Sequence, residues 1–132
     1  MRPRPPVLGL ALLVGGLLSA QTLDRCREAR RTGRLAEETR CYQALAASPD
    51  ACTRAEALWA LERYREANDA FRAATAAQPR NADYRVRWGR FYLDRKQNRD
   101  AVDLFAEALE IKPDHAGALL GIAPWSVLVG AC

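Results

Sequence analysis

Shifted by 34 residues, the chain lies on itself: Pro79 falls on Pro113, Ala74 on Ala108, Phe71 on Phe105, Ala67 on Ala101, Leu58 on Tyr92 and Ala55 on Gly89. Small residues meet small ones, large apolar residues meet large apolar ones, and the proline recurs. A repeat of this length is one supersecondary unit that cannot bury its apolar face alone, so successive units must stack. Ala101, Phe105 and Ala108 are four and three residues apart and share one face of a helix. Two small residues around one aromatic let a neighbouring helix come close while the ring fills the gap. Gly89 does the same on the preceding helix. The closing proline cannot continue a helix and pushes the residue before it towards extended backbone.

These residues resemble the tetratricopeptide repeat family. Its unit carries a small residue and an aromatic on the first helix, an Ala-x3-Phe-x2-Ala run on the second, and a closing Pro. One unit here gives Ala55, Leu58, Tyr64, Ala67, Phe71, Ala74 and Pro79, and the next gives Trp88-Gly89, Tyr92, Ala101, Phe105, Ala108 and Pro113. Arg85 departs from the pattern, standing where a large apolar residue is usual. The resemblance continues on both sides. Leu23 to Arg31, the turn Thr32-Gly33-Arg34 and Leu35 to Ala47 read as another hairpin, with Leu35, Tyr42 and Leu45 as its apolar residues. Ala116 to Ala123 begins the first helix of a further unit, with Asp114 as its cap. The resemblance implies an all-α fold, a right-handed stack of antiparallel helical hairpins over residues 21–123.

The flanks follow different rules. Arg2 and Arg4 precede an uncharged run from Val7 to Leu18, and Ser19-Ala20 supplies small residues before Gln21, the order of a secretory signal over residues 1–20. The twelve residues Val7 to Leu18 would span only about 18 Å as a helix, against roughly 30 Å of hydrocarbon, so cleavage after Ala20 and export are expected rather than a stable membrane span. At the other end, residues 124–132 form an apolar tail. The tail is expected to drive self-association, with Cys132 able to form an intermolecular disulfide; the alternative is that it folds back and caps the last hairpin.

Little here points to catalysis. The single histidine, His115, sits at a repeat junction and reads as a surface residue, with no recognisable Ser or Cys partner. Four cysteines without a CxxC pair and one histidine argue against zinc, and no phosphate loop occurs. No metal or cofactor is expected. Of the 20 basic residues 18 are arginine, set against 16 acidic ones and alternating with them along helices, which describes solvated faces rather than a nucleic-acid footprint.

What remains is binding. In the family that the chain resembles, the first helices of successive units line a concave surface that holds peptides or partner domains. On those helices Trp59 lies one residue beyond Leu58, while Arg87, Arg90 and Asp94 form a stripe three and four residues apart. These four are the candidate partner-binding residues, and they suit an acidic or mixed-charge peptide. The Lys and Asn constellation with which some family members clamp a C-terminal carboxylate has no Asn here. The chain is expected to be a non-catalytic interaction module; the alternative is a structural subunit, or a truncated piece, of a larger envelope assembly. Finally, a hairpin turning at Gly33-Arg34 sets Cys26 and Cys41 at the same height, and export implies an oxidising compartment, so a Cys26–Cys41 disulfide is expected.

Overall fold

Among the described residues, positive φ outside the right-handed region occurs at Gly33 (71°), Glu62 (59°) and Lys96 (62°), and each marks the turn of a helical hairpin. The computed structural model describes residues 2–3 and 22–122. Its helices are α1 (Leu23–Arg31), α2 (Leu35–Leu45), α3 (Ala51–Ala60), α4 (Tyr64–Ala77), α5 (Ala82–Asp94), α6 (Asn98–Ile111) and α7 (Ala116–Ile122), and the described residues contain no strand. The expectations for the signal, for the tail and for Cys132 lie outside the described residues.

Each turn is closed the same way. The residue after the left-handed one donates its N–H back into the preceding helix: Arg34 to Ala29 O, Arg63 to Leu58 O and Gln97 to Tyr92 O, each at 2.9 Å. This satisfies carbonyls that a helix end would otherwise leave open. The second helices α2, α4 and α6 therefore start directly from the turn, with no side-chain cap. The first helices start from loops and do carry caps: Thr22 accepts from Arg25 N, Asp50 from Thr53 N and Asn81 from Tyr84 N. At α7 the cap is not Asp114. His115 precedes the helix directly, and its Nδ1 accepts from Ala118 N at 3.3 Å.

Glu62 and Lys96 are 34 residues apart, but Gly33 and Glu62 only 29, so the first unit is short. The shortening falls on both helices between those turns, 11 residues in α2 against 14 in α4 and in α6, and 10 in α3 against 13 in α5, while the loop between them is one residue longer. Leu35, expected among that hairpin's apolar contacts, is 66% exposed, and Asn98 at the same position after its own turn is exposed too. Instead, Leu23, Cys26, Cys41, Tyr42 and Ala57 form a small core. A disulfide joins Cys26 to Cys41 with a Cα separation of 5.4 Å.

The other two hairpins pack as the small-aromatic-small pattern dictates. Ala67, Phe71, Ala74, Ala101, Phe105 and Ala108 are each at most 1% exposed. Gly89 is buried and Tyr92 half-buried, packing at the edges of the two main clusters. Phe71 and Phe91 meet at 5.6 Å between ring centroids, with Trp59 edge-on to both. Asn68 on α4 accepts from Trp88 Nε1 and from Tyr92 Oη, both at 2.9 Å, which binds the second hairpin to the third. Arg85 keeps its place as a bridge rather than a core residue: Nη1 donates to Pro79 O at 2.6 Å and Nε to Glu107 Oε2 at 3.1 Å. Burial of the ring and the nearby Asp100 hold the Tyr92 hydroxyl above the ordinary tyrosine pKa.

Candidate functional site

Counted back from the turns, one position recurs with charge in every unit. Arg27, Glu56 and Arg90 each stand six residues before Gly33, Glu62 and Lys96. They lie on α1, α3 and α5, whose side chains meet along one side of the stack. Glu56 is the centre of that row. Arg87, one helical turn before Arg90, reaches across from α5 and grips the Glu56 carboxylate with two nitrogens, Nε to Oε1 and Nη2 to Oε2, the latter at 2.5 Å. Arg27 approaches the same carboxylate from α1, its Nη2 at 3.7 Å from Oε2. One carboxylate thereby ties three hairpins together.

Trp59 and Asp94 extend the row by a turn. The Trp59 indole Nε1 donates to Asp94 Oδ2 at 3.0 Å, and the Arg87 guanidinium stands 5.8 Å from the indole centroid. The four residues singled out in the sequence are therefore brought to one place, but not as a uniform stripe. Asp94 is exposed and Trp59 and Arg90 are half-buried, whereas Arg87 is only 8% exposed. Arg87 neither solubilises its helix nor stands open to a ligand, because Glu56, 6% exposed, holds it inside. A guanidinium enters such a site only when a carboxylate replaces its water. Arg90 differs: its Nη1 is buried with no hydrogen-bond partner. Burial first, and the like charge of Arg87 second, lower its pKa from the ordinary arginine value, with Glu56 acting in the opposite direction.

Sequence reasoning missed Glu56 and Arg27. The signal was available in the turn-relative position, since a charged residue recurs there in all three units.

A second concave region lies at the junction before α7. An open cleft of about 740 Å3 is lined by Gln78, Arg80, Asn81, Asp83, Lys112 and His115, among others. His115 is not the surface residue expected. Its side chain is 13% exposed, with Nε2 2.5 Å from Asp83 Oδ1 and Nδ1 used by the α7 cap. Both ring nitrogens are thus engaged in holding α7 to α5. The lining contains no serine, threonine or cysteine that could act as a nucleophile. Among the described residues no group of side chains has the composition of a metal site, and no helix is long and apolar enough to cross a membrane.

With this geometry in place, comparisons with known proteins fall into one group. The tetratricopeptide repeat family model matches residues 52–116. Among solved structures, MamA is similar at 16% identity and a TM-score of 0.55, covering 80% of this chain; the chain spans 64% of MamA. The first such domain of Spaghetti (RPAP3), solved with the HSP90 peptide SRMEEVD, is similar at 19% identity and 0.53, covering 77% of this chain and 84% of that one. The Arabidopsis OM64 domain is similar at 17% identity and 0.55, covering 79% of this chain and 89% of that one. No curated protein matches the chain. At these identities the structural likeness speaks for the fold alone. The repeat positions, the left-handed turns at their spacing and the family match together make residues 52–116 of this chain a tetratricopeptide repeat region.

Proposed function

We propose that this chain is a non-catalytic protein-interaction module that holds an extended segment of a partner protein along the face formed by α1, α3 and α5. The observation that carries this reading is the row Arg27, Glu56, Arg87 and Arg90, with Trp59 and Asp94 beside it. Glu56 and Arg87 are spent on each other, but Arg90, Trp59 and Asp94 beside them reach the surface of that face. A peptide bound by a similar domain, as in the RPAP3 structure, supports the same use of the fold. The test is selection of a random decapeptide library on the immobilised chain. Peptides that enrich, bind with micromolar dissociation constants and compete for one site are expected. A library from which nothing enriches overturns the reading.

The module is further proposed to act outside the cytoplasm. The apolar run after Arg2 and Arg4 supports this, as does the Cys26–Cys41 disulfide, a bond that persists in oxidising compartments and is rare in the reducing cytosol. The expected intact mass of the exported chain, measured without reductant, begins at Gln21 and is two hydrogens lighter for this bridge. A chain that stays inside the cell, still carrying residues 1–20 and with Cys26 and Cys41 both alkylatable, contradicts it.

A further inference from the structure

Cys52 is the second residue of α3, completely buried and disulfide-bonded. Cys26 and Cys41 are bonded to each other, so of the four cysteines in the chain Cys132 is left to pair with Cys52. Cys52 also stands four residues before Glu56, one helical turn away on the same side of α3. It therefore marks the start of the charged row.

We infer that residues 123–132 cross back over the first helices and are tied to α3 by a Cys52–Cys132 disulfide within one chain, covering part of the face on which a partner would lie. The bond is intramolecular, unlike the one that the sequence alone suggested for Cys132. The covering rests on the reading of α1, α3 and α5 as the partner face; the bond does not. Ile122 is the last residue of α7, and the ten residues that follow reach about 33 Å when extended. α3 and α7 stand on either side of α5, to which Glu56 is joined through Arg87 and His115 through Asp83. Two helix spacings of about 8–10 Å and a return of about 8 Å along the axes make a path of about 22 Å, well within that reach. Pro124 stops α7 from continuing, and the residues after it carry no charge and include Trp125, Val127, Leu128 and Val129. Such a segment gains by leaving water for a protein face. The bond forms when Cys132 attacks the disulfide of an oxidised dithiol donor and Cys52 displaces the donor from the mixed disulfide; two protons and two electrons pass to the donor, which departs as a dithiol. A segment so held competes at an effective concentration of order mM, whatever the dilution of the protein.

The experiment digests the exported chain, without reductant, with trypsin and a protease that cuts before Asp. Cys41 and Cys52 then fall in separate peptides, 41–49 and 50–54, and Cys132 falls in 114–132. The expected product is peptide 50–54 joined to 114–132, from a monomer that loses two hydrogens for each bridge. A decapeptide selected on the chain, followed by fluorescence anisotropy, binds Cys132→Ser at least about tenfold more tightly than the bridged chain. Cys52 and Cys132 both alkylated in denaturant without reductant, or the joined peptides found only in a dimer, would overturn the proposal. Equal affinities of the two chains overturn it as well, and leave the partner face standing. If no peptide enriches on either chain, the partner-face reading fails together with the covering, and the digest still upholds or overturns the bond.

Discussion

Glu56→Ala is expected to lower the stability of the chain by about 3–5 kcal/mol, the cost of leaving a buried charge without its partner. Arg87 is 8% exposed and its bonded acceptor is the Glu56 carboxylate, so removing that carboxylate strands a cation in the interior. Arg27 loses its contact at the same time, and the first hairpin loses its link through that side chain. The double replacement Glu56→Met with Arg87→Leu should be far milder, because neither member of the buried pair is left without the other. Urea unfolding of the two variants beside the unaltered chain measures the difference. If Glu56→Ala and the double variant unfold at the same midpoint as the unaltered chain, the pair is not buried in solution.

Gly89→Leu is expected to cost about 1–3 kcal/mol or more, although leucine improves helix propensity by about 1 kcal/mol over glycine. A Cβ on Gly89 would stand 2.7 Å from Phe105 Cε1, closer than carbon atoms approach. Gly121 of α7 also crowds the ring, since a Cβ there would stand 2.5 Å from Phe105 Cζ, so the ring has little room to give. Phe105 is thus held between two glycines from two different helices, completely buried. Phe105→Ala removes that ring and should cost about 3–5 kcal/mol by leaving a cavity. Because the two substitutions act on one space, Gly89→Leu combined with Phe105→Ala should cost less than their sum. Arg99→Leu, on the exposed side of α6, should change stability by less than about 0.5 kcal/mol. Equal melting temperatures for Gly89→Leu and the unaltered chain would mean that α5 and α6 do not touch at this point.

The parts of this architecture legible in the sequence are those written in repeated positions. The 34-residue period named Ala55, Ala67, Phe71, Ala74, Ala101, Phe105 and Ala108, all buried, because packing at a helix crossing demands the same residue sizes each time. The Leu23 to Ala47 hairpin was found from its turn, but its second helix ends at Leu45 and its Leu35 faces outward, at a position after the turn that Asn98 of α6 also exposes. Asp114 looked like a cap by residue type; His115 takes the role because it is the residue immediately before Ala116 and its ring can bridge to Asp83 as well.

The charged face was only half legible. Helical spacing put Arg87, Arg90 and Asp94 on one side of α5, which is a statement about a single helix. It could not say that α3 would present Glu56 to Arg87, because that pairing depends on the offset between adjacent hairpins. The two residues are 31 apart, one helical turn short of a full repeat. Nor does spacing distinguish Arg87, whose charge is neutralised, from Arg90, whose buried Nη1 has no hydrogen-bond partner. Gly121 is part of the surface against which Phe105 closes.

The central claim, that partners lie along α1, α3 and α5, is tested most directly by backbone amide NMR of the full chain titrated with a selected peptide. The account predicts that shift changes concentrate at Arg27, Glu56, Trp59, Arg87, Arg90 and Asp94, with α2, α4 and α6 unmoved on their exposed sides. Changes confined to the second helices, or to the cleft beside His115, would contradict it.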